Sequence, residues 1–442
     1  MSWFVSTDLH SRRTTSLTRL WGRYPTSGEF FRSILDSLWE VQHARSYFDF
    51  HAAPDADGMS PETHGLFPVW GFGDIIASNH PVANVGERVY GFFAPTKYLG
   101  KRSFGPPAGN LSEFYYSSGI LHGRLEQFLL LRPPTTFTTR CAFGHKLRTI
   151  GTFVLIQVVD RRPYNQVVRC AADAQYESDS LAEDLTMVYR PLYWTSFWCE
   201  DWLFTSNYRG GAKLFFISSA SSKTAFCLAY RIQIRIRNKE VPADTRIIGL
   251  TSKRNMGFTK RLGLYHEVVS YDDINEKSFD LGVRAIYTDV AGSDELNGKL
   301  FAVQGPTFVA AIKLGMSNVT PMKLGVTNVW TKNIALEETA GGSSSMKTLE
   351  FEAFFMVEWL AVRVKQLSVK EIVGVQIKAW KQLIVDAKGW VEIARVYGGE
   401  QVKAAYESAL RDGLCAEDGS VWSLWGEGEQ AGNVITGAKC KL

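Results

Sequence analysis

The chain contains 442 residues, a length typical of two domains with substantial cores. Apolar residues make up 45% and charged residues 21%, the composition of an ordinary globular protein. The formal net charge of +4 is too small to predict nucleic-acid or membrane-surface binding, and no apolar run approaches the roughly 18 residues of a membrane helix. We therefore expect no nucleic-acid partner and no membrane association.

The six cysteines are spread along the chain without a C-x-x-C pair, and the eight histidines show no ligand spacing. We therefore predict no metal site. Scattered thiols fit a reducing compartment, so we expect a cytoplasmic protein. Residues 1–25 hold four arginines, many Ser and Thr and one acid, a composition that also resembles an organelle transit peptide. A first strand followed by a polar surface segment is the reading we prefer for this stretch.

The first part of the chain predicts an amphipathic helix followed by a small barrel. Residues 26–50 place apolar side chains at helical spacing. Residues 66–99 alternate short apolar runs with glycines, a pattern typical of a compact β-barrel. Residues 100–118 predict a long loop, and further strand-like runs follow at 142–160 and 163–171.

A polar pair, Tyr164 and Asn165, lies between strand-like runs of the barrel region. A tyrosine can donate a proton or a hydrogen bond to a substrate carbonyl, with the asparagine beside it. We predict these two residues as catalytic candidates. A turn capped by Asn165 is an equally good reading of the same residues.

The middle of the chain changes to an alternating α/β pattern. Residues 183–201 are aromatic and predict a helix that Pro191 starts or kinks. Residues 213–217 then predict a strand, residues 218–224 a polar turn, and the stretch that follows a helix and a second strand at 246–250. This is the order of a βαβ unit that binds a nucleotide, because the turn presents backbone N–H groups and a helix N-terminus to a pyrophosphate.

The turn lacks the fingerprint G-x-G-x-x-G, whose glycines allow positive φ and close backbone approach to phosphate. Serines are small and donate hydroxyl hydrogen bonds, and a lysine can meet a phosphate as a point charge. The predicted cofactor contacts in this turn are Ser219, Ala220, Ser222, Lys223 and Thr224. The alternative is a doubly wound domain that has kept its fold and lost its cofactor.

The second strand ends in two hydroxyls and two cations: Thr251, Ser252, Lys253 and Arg254. An enzyme that prefers NAD usually places an acid here for the ribose 2′-OH. Because cations suit a 2′-phosphate instead, we predict NADP(H) as the cofactor.

Two later strands predict where the nicotinamide lies. The strand-like runs at 284–290 and 308–314 lead into Ala291, Gly292 and Gly315. Ligands of such sheets sit beyond the carboxyl ends of the strands, so we expect these three residues near the nicotinamide. Residues 337–346 predict a flexible linker, and the last hundred residues are mostly helical in pattern.

This order, a barrel, a proline-containing helix, a nucleotide domain and a return to the first domain, is similar to the medium-chain dehydrogenase/reductase superfamily. The stretches GERVYGFF (86–93) and RLGLYHEVVSYDD (261–273) resemble motifs of its quinone-oxidoreductase branch. That resemblance implies an α/β fold with a GroES-like β-barrel domain and a Rossmann domain with a doubly wound parallel sheet. It also implies that Lys253 and Tyr271 hold the 2′-phosphate. Residues 70–74 read WGFGD and lack the G-H-E of the zinc enzymes, so a catalytic metal is not expected.

A closer resemblance is to a sister family known only as a domain of unknown function. Its members resemble this chain in several stretches that together cover about residues 66–330: PVWGFGDIIAS, EDLTMVYRPLYWTSFW, SSASSKTA and GLTSKRN among them. The serine-rich turn is therefore a property of that family.

We predict a barrel-type substrate domain at 1–195, a Rossmann-like domain at 196–345 and a mostly helical return to the first domain at 346–442. The predicted function is a zinc-independent, NADPH-dependent reductase of an activated C=C or C=O, acting on a small apolar or aromatic carbonyl substrate between the domains. Two alternatives stay open: a C–C-cleaving lyase or hydrolase with a vacant nucleotide site, and a non-catalytic scaffold protein. The prediction also leaves a homodimer open.

Overall fold

The computed structural model describes residues 2–10, 69–78, 84–93, 98–103, 113–120, 137–140, 146–150, 153–155, 166–274, 279–314, 351–412 and 415–427. Tyr164, Asn165 and Gly315 lie outside these ranges, as do the helix predicted at 26–50 and the linker predicted at 337–346.

Six antiparallel strands close into a barrel. They are β1 (Ser2–His10), β2 (Val69–Ser78), β3 (Arg88–Phe93), β4 (Tyr98–Ser103), β5 (Glu113–Ile120) and β9 (Gln166–Arg169). Around the ring the order is β1, β2, β3, β9, β5 and β4, and β4 pairs again with β1. The prediction of a long loop at 100–118 was wrong, because the end of β4 and most of β5 fall inside it. Closure leaves no free edge among these strands, which gives a short polar stretch such as YLGKRS a partner on both sides.

Three further strands form a small antiparallel sheet: β6 (Phe137–Arg140), β7 (Lys146–Ile150) and β8 (Phe153–Leu155).

A long helix, α1 (Ser180–Thr205), leads out of the barrel region. It begins at Asp179, whose side chain accepts a hydrogen bond from the amide of Ala182 at 3.0 Å. The helix runs through Pro191 rather than starting there. Its aromatic side chains Trp194, Phe197 and Trp198 are buried in the core, beside Trp380 of a later helix. The next segment, α2 (Asn207–Gly211), is a left-handed turn with positive φ throughout.

The Rossmann sheet has six parallel strands. In chain order they are β10 (Leu214–Ile217), β11 (Arg246–Thr251), β12 (Glu267–Ser270), β13 (Ala285–Asp289), β14 (Phe308–Lys313) and β15 (Phe351–Ala353). Their spatial order is β12-β11-β10-β13-β14-β15, which is the 3-2-1-4-5-6 order of a dinucleotide-binding sheet. The central strands read as continuous apolar runs because both of their faces are covered. The connecting helices are α3 (Lys223–Arg237), α4 (Met256–Arg261) and α5 (Asp294–Gln304).

The last part of the chain contributes strands to both the barrel sheet and the Rossmann sheet. It holds α6 (Met356–Arg363), α7 (Val369–Asp386), β16 (Glu392–Tyr397), α8 (Gly399–Asp412) and β17 (Asp418–Ser423). Strand β17 pairs with β1 and β16 pairs with β17, so the chain returns to the barrel sheet. The sixth Rossmann strand, β15, also comes from this part. The fold-class prediction, a GroES-like barrel joined to a Rossmann domain, is confirmed, and the domain boundaries stay a prediction.

Candidate functional site

The serine-rich turn connects β10 to α3 at the carboxyl edge of the sheet. Ser219 has a φ of +52°, the left-handed conformation that the first glycine of a nucleotide turn normally supplies. The amide of Ser222 donates to the Ser219 carbonyl at 2.7 Å and closes the turn. Ser222 is also the N-cap of α3, where its hydroxyl accepts from the Ala225 amide at 3.4 Å. The turn therefore begins with a left-handed residue and ends at a helix N-terminus, although it contains no glycine.

Two tyrosine hydroxyls hold this turn. The Tyr271 oxygen accepts a hydrogen bond from the Ser219 amide at 2.9 Å, and the Tyr265 hydroxyl donates to the Ala220 carbonyl at 2.9 Å. Burial raises the pKa of Tyr271 to about 12, so its hydroxyl is neutral at physiological pH. Tyr265 fits here because Gly249 has no side chain: a Cβ at that position would lie 2.8 Å from the tyrosine ring.

A buried polar network joins the two central strands at the point where the strand order reverses. The hydroxyl of Ser218 donates to Asp289 Oδ1 at 3.0 Å and accepts from the amides of Val290 and Ala291, both at 2.9 Å. Asp289 also accepts from the Gly292 amide at 2.8 Å. Gly292 has a φ of +68°, which a glycine adopts without strain. This network fixes the loop after β13, where ligands of such sheets lie.

The end of β11 carries hydroxyls inside and cations outside. Thr251 and Ser221 are buried, and the Ser221 hydroxyl accepts from Asn255 Nδ2 at 3.0 Å. Lys253 is exposed and lies 3.6 Å from Asp272 and 3.9 Å from Asp273. Arg254 is exposed, and Ser252 is half-buried beside it. The predicted group of two hydroxyls and two cations is thus brought together, with two acids from the neighbouring strand end that the prediction did not include.

A segment from the end of the chain lies against the same edge. Lys223 Nζ donates to the Asp418 carbonyl at 2.8 Å, and Arg261 pairs with Glu417 at 2.5 Å. The Lys223 ammonium therefore already has a protein acceptor.

The structure thus assembles most of the predicted nucleotide contacts. Ser219, Ala220 and Ser222 lie in the turn, Lys223 and Thr224 begin α3 directly after it, and Tyr271 contacts the turn. Ala291 and Gly292 lie in the loop beside it that the Ser218 network holds. The catalytic candidates Tyr164 and Asn165, and Gly315, lie outside the described residues. Arg190, in α1, pairs with Asp173 at 2.6 Å, as a structural partner would.

Sequence reasoning missed Tyr265, Gly249 and the acids Asp272 and Asp273 as parts of this site. A usable signal was Gly249 itself, since a glycine inside an otherwise apolar strand often marks the close approach of another group. The acids stood in the stretch that carried the family resemblance, directly after Tyr271.

Within the described residues, no group of three or more His, Cys, Asp or Glu side chains is arranged to hold a metal ion. In the same part of the chain, no helix has the length and apolar character that crossing a membrane requires.

A family model matches residues 40–414, and its description is "Protein of unknown function (DUF2855)". The chain belongs to this family, which confirms the resemblance to a domain-of-unknown-function family. No curated protein matches the sequence.

Similar solved structures cover most of the chain at low identity. CurA from Vibrio vulnificus in complex with NADPH is 10% identical and covers 96% of this chain and 89% of its own, with a TM-score of 0.44. Mycobacterial Rv1454c complexed with NADPH is 9% identical and covers 96% and 91%, with a TM-score of 0.45. YhdH from E. coli K-12 with bound NADPH is 12% identical and covers 95% and 91%, with a TM-score of 0.39. These values are too low to transfer a function.

Proposed function

We propose that this protein is a zinc-independent, NADPH-dependent reductase of an activated C=C or C=O bond. One observation carries the proposal: a left-handed Ser219 turn runs into a helix N-terminus on the first strand of a 3-2-1-4-5-6 sheet. A left-handed residue ahead of a helix N-terminus, at the point where the strand order reverses, is the arrangement that a pyrophosphate site uses, and this supports nucleotide binding.

The residues present fit a dinucleotide. The N-terminal turn of α3, with Ser222, Lys223 and Thr224, would hold the pyrophosphate, since helix N-termini and small residues suit anions. Ser252, Lys253 and Arg254 at the end of β11 would hold the ribose and its 2′-phosphate. The nicotinamide would lie beside Ala291 and Gly292.

The chemistry divides between cofactor and protein. Bound NADPH supplies the hydride, so the protein needs to orient it, exclude water and polarise the substrate. Ser218 and Asp289 hold the loop against which the nicotinamide would rest. Tyr164 and Asn165 are our candidates for a hydrogen bond to the substrate carbonyl, and a small apolar or aromatic carbonyl compound is the proposed substrate.

A second candidate is an enzyme or scaffold that keeps the Rossmann fold with a vacant nucleotide site. It is favoured by the way the turn satisfies its own polar groups: Lys223 donates to Asp418, and the Ser219 amide donates to Tyr271. A C–C-cleaving lyase or hydrolase would then turn over substrate without a nucleotide, and a scaffold would turn over none.

The test is a titration of the purified full chain with NADPH and NADH, followed by NADPH consumption with a panel of enones and quinones. We expect NADPH to bind more tightly than NADH, and hydride transfer to continue after dialysis against a chelator. If neither nucleotide binds, the reductase proposal is wrong and the second candidate gains. If the purified protein contains stoichiometric zinc and loses its activity when the chelator removes that zinc, zinc independence is contradicted.

A further inference from the structure

Strand β12 is bracketed by two tyrosines that both reach the serine turn. Tyr265 precedes the strand and Tyr271 follows it directly. Their hydroxyls contact consecutive residues of the turn: Tyr271 accepts from the Ser219 amide, and Tyr265 donates to the Ala220 carbonyl. Tyr271 therefore holds the peptide group between Ser218 and Ser219, and Tyr265 holds the one between Ala220 and Ser221.

The bonds have a clear physical purpose. A serine at φ +52° lies in a conformation that costs about 1–2 kcal/mol for a residue with a side chain, so the surrounding structure must hold it there. The Ala220 amide contributes a third bond, to the Leu250 carbonyl at 2.9 Å. Gly249 leaves the room that the Tyr265 ring occupies, with ring carbons 2.8 and 2.9 Å from its virtual Cβ.

Tyr271 and Lys253, which the family resemblance assigns to one 2′-phosphate site, have different partners in this structure. The Tyr271 hydroxyl is engaged by the turn, whereas Lys253 is directed at Asp272 and Asp273. The contact to the Ser219 amide therefore gives Tyr271 a positioning role that the 2′-phosphate assignment does not include.

We propose that Tyr265 and Tyr271 are positioning residues of the nucleotide turn, where their hydrogen bonds hold a serine in the conformation that a glycine adopts without strain. This inference rests on the proposed function, since it assigns a role in dinucleotide binding. It makes a distinct prediction, because the serine turn would touch the pyrophosphate that NADPH and NADH share. Losing either hydroxyl should weaken the binding of NADPH and of NADH by the same factor, whereas losing a 2′-phosphate ligand should weaken the binding of NADPH alone.

The experiment combines Tyr271→Phe and Tyr265→Phe with two readouts on the full chain. The first is amide hydrogen exchange of peptides that span 214–226, measured without nucleotide, with peptides of β13 as an internal reference. The second is the dissociation constant for NADPH and for NADH. Tyr193→Phe is the matched control, since it loses a buried hydroxyl that donates to the Ala379 carbonyl at 3.2 Å and makes no bond to the backbone of the turn.

We expect faster exchange in 214–226 for both variants and a weakening of both cofactors by about three- to tenfold, the effect of one hydrogen bond. The control should change neither. Unchanged exchange in 214–226 would overturn the positioning role, whatever the affinities do. A loss confined to NADPH in Tyr271→Phe would overturn it too and make Tyr271 a phosphate ligand, with the reductase proposal intact. A wild-type chain that binds neither nucleotide would overturn both proposals, and the unmodified titration alone reveals that case.

Discussion

The hydroxyl oxygen of Ser218 lies 3.0 Å from Oδ1 of Asp289, and this contact joins the ends of the two strands between which the strand order reverses. Both residues are almost fully buried. The serine is an acceptor as well as a donor, because the amides of Val290 and Ala291 point at its oxygen. One small side chain therefore satisfies three partners at the place where a Rossmann sheet binds its ligand.

Ser218→Ala should lower the free energy of unfolding by roughly 1–3 kcal/mol or more, because two buried amides lose their acceptor and Asp289 loses a donor. Ser196→Ala is the matched control: its hydroxyl is also buried but only donates to backbone carbonyls, at 3.0 and 2.7 Å. Denaturant unfolding of both variants checks this. Equal losses would show that the Ser218 amide bonds contribute little.

Lys253→Ala should raise the dissociation constant for NADPH by about one to two decades and leave that for NADH nearly unchanged. The reason is that a charge-assisted contact is worth roughly 1.5–3 kcal/mol. Asp272→Asn should act in the opposite direction, because it removes an acid that lies 3.6 Å from the Lys253 ammonium and repels a 2′-phosphate. Both effects should shrink at high salt, where exposed charges are screened over about 10 Å or less.

The control for Lys253 is Arg246→Ala, which removes an exposed cation from the opposite end of the same strand. Binding of both cofactors measured by titration at two salt concentrations distinguishes the outcomes. Equal weakening of NADPH and NADH by Lys253→Ala would remove it from the 2′-phosphate site.

The sequence was sufficient to place the strands and the turn of this site, because buried parallel strands read as continuous apolar runs and small polar residues interrupt them. The predicted strand at 246–250 is observed as Arg246–Thr251, and the predicted turn at 218–224 stands between β10 and the body of α3. Its contacts could not be predicted. They depend on the register between β11 and β12, which pairs Thr251 with Ser270 and so carries Asp272 and Asp273 to Lys253. Local pattern carries no information about that register.

In the barrel, by contrast, the sequence pattern did not predict all of the strands. Strands β4 (YLGKRS) and β5 (EFYYSSGI) show no regular alternation of apolar and polar residues, and their positions follow from pairing with β1, with each other and with β9. A stretch such as residues 100–118 therefore reads as a loop until its partners are known.

Lys223→Ala should weaken NADPH and NADH alike at low salt, because a lysine at the first position of α3 would contact the pyrophosphate that both share. The structure offers a competing explanation, since Lys223 also ties the segment around Asp418 to this edge of the sheet. Arg261→Ala separates the two, because it breaks the neighbouring tie to Glu417 without removing the cation from the turn. Titration of both variants should show a loss for Lys223→Ala only. If Arg261→Ala lowers the affinity for both cofactors as much as Lys223→Ala does, the position of the segment around Asp418 determines the affinity, and the charge of Lys223 does not.

Gly249→Ala should destabilise the protein by about 1–3 kcal/mol, the usual cost of inserting a methyl group into a packed site. The new Cβ would lie 2.8 Å from the Tyr265 ring and 3.0 Å from the Ala220 side chain, so one of them must move. Because Tyr265 also bonds the Ala220 carbonyl, the displacement should disturb the serine turn and weaken both cofactors together.

Gly298→Ala makes the same chemical change in open space, since beyond its chain neighbours and the backbone of its own helix no atom lies within 4 Å of a Cβ built at that position in α5. An alanine inside a helix is favoured over glycine by up to about 1 kcal/mol, so this variant should be as stable as the wild type or more so. Thermal unfolding and nucleotide titration of the two variants, measured side by side, isolate steric contact from the general effect of adding a methyl group. If Gly249→Ala has the same unfolding temperature and the same cofactor affinities as Gly298→Ala, the Tyr265 ring moves aside without loss of stability. The ring would then have no part in holding the turn.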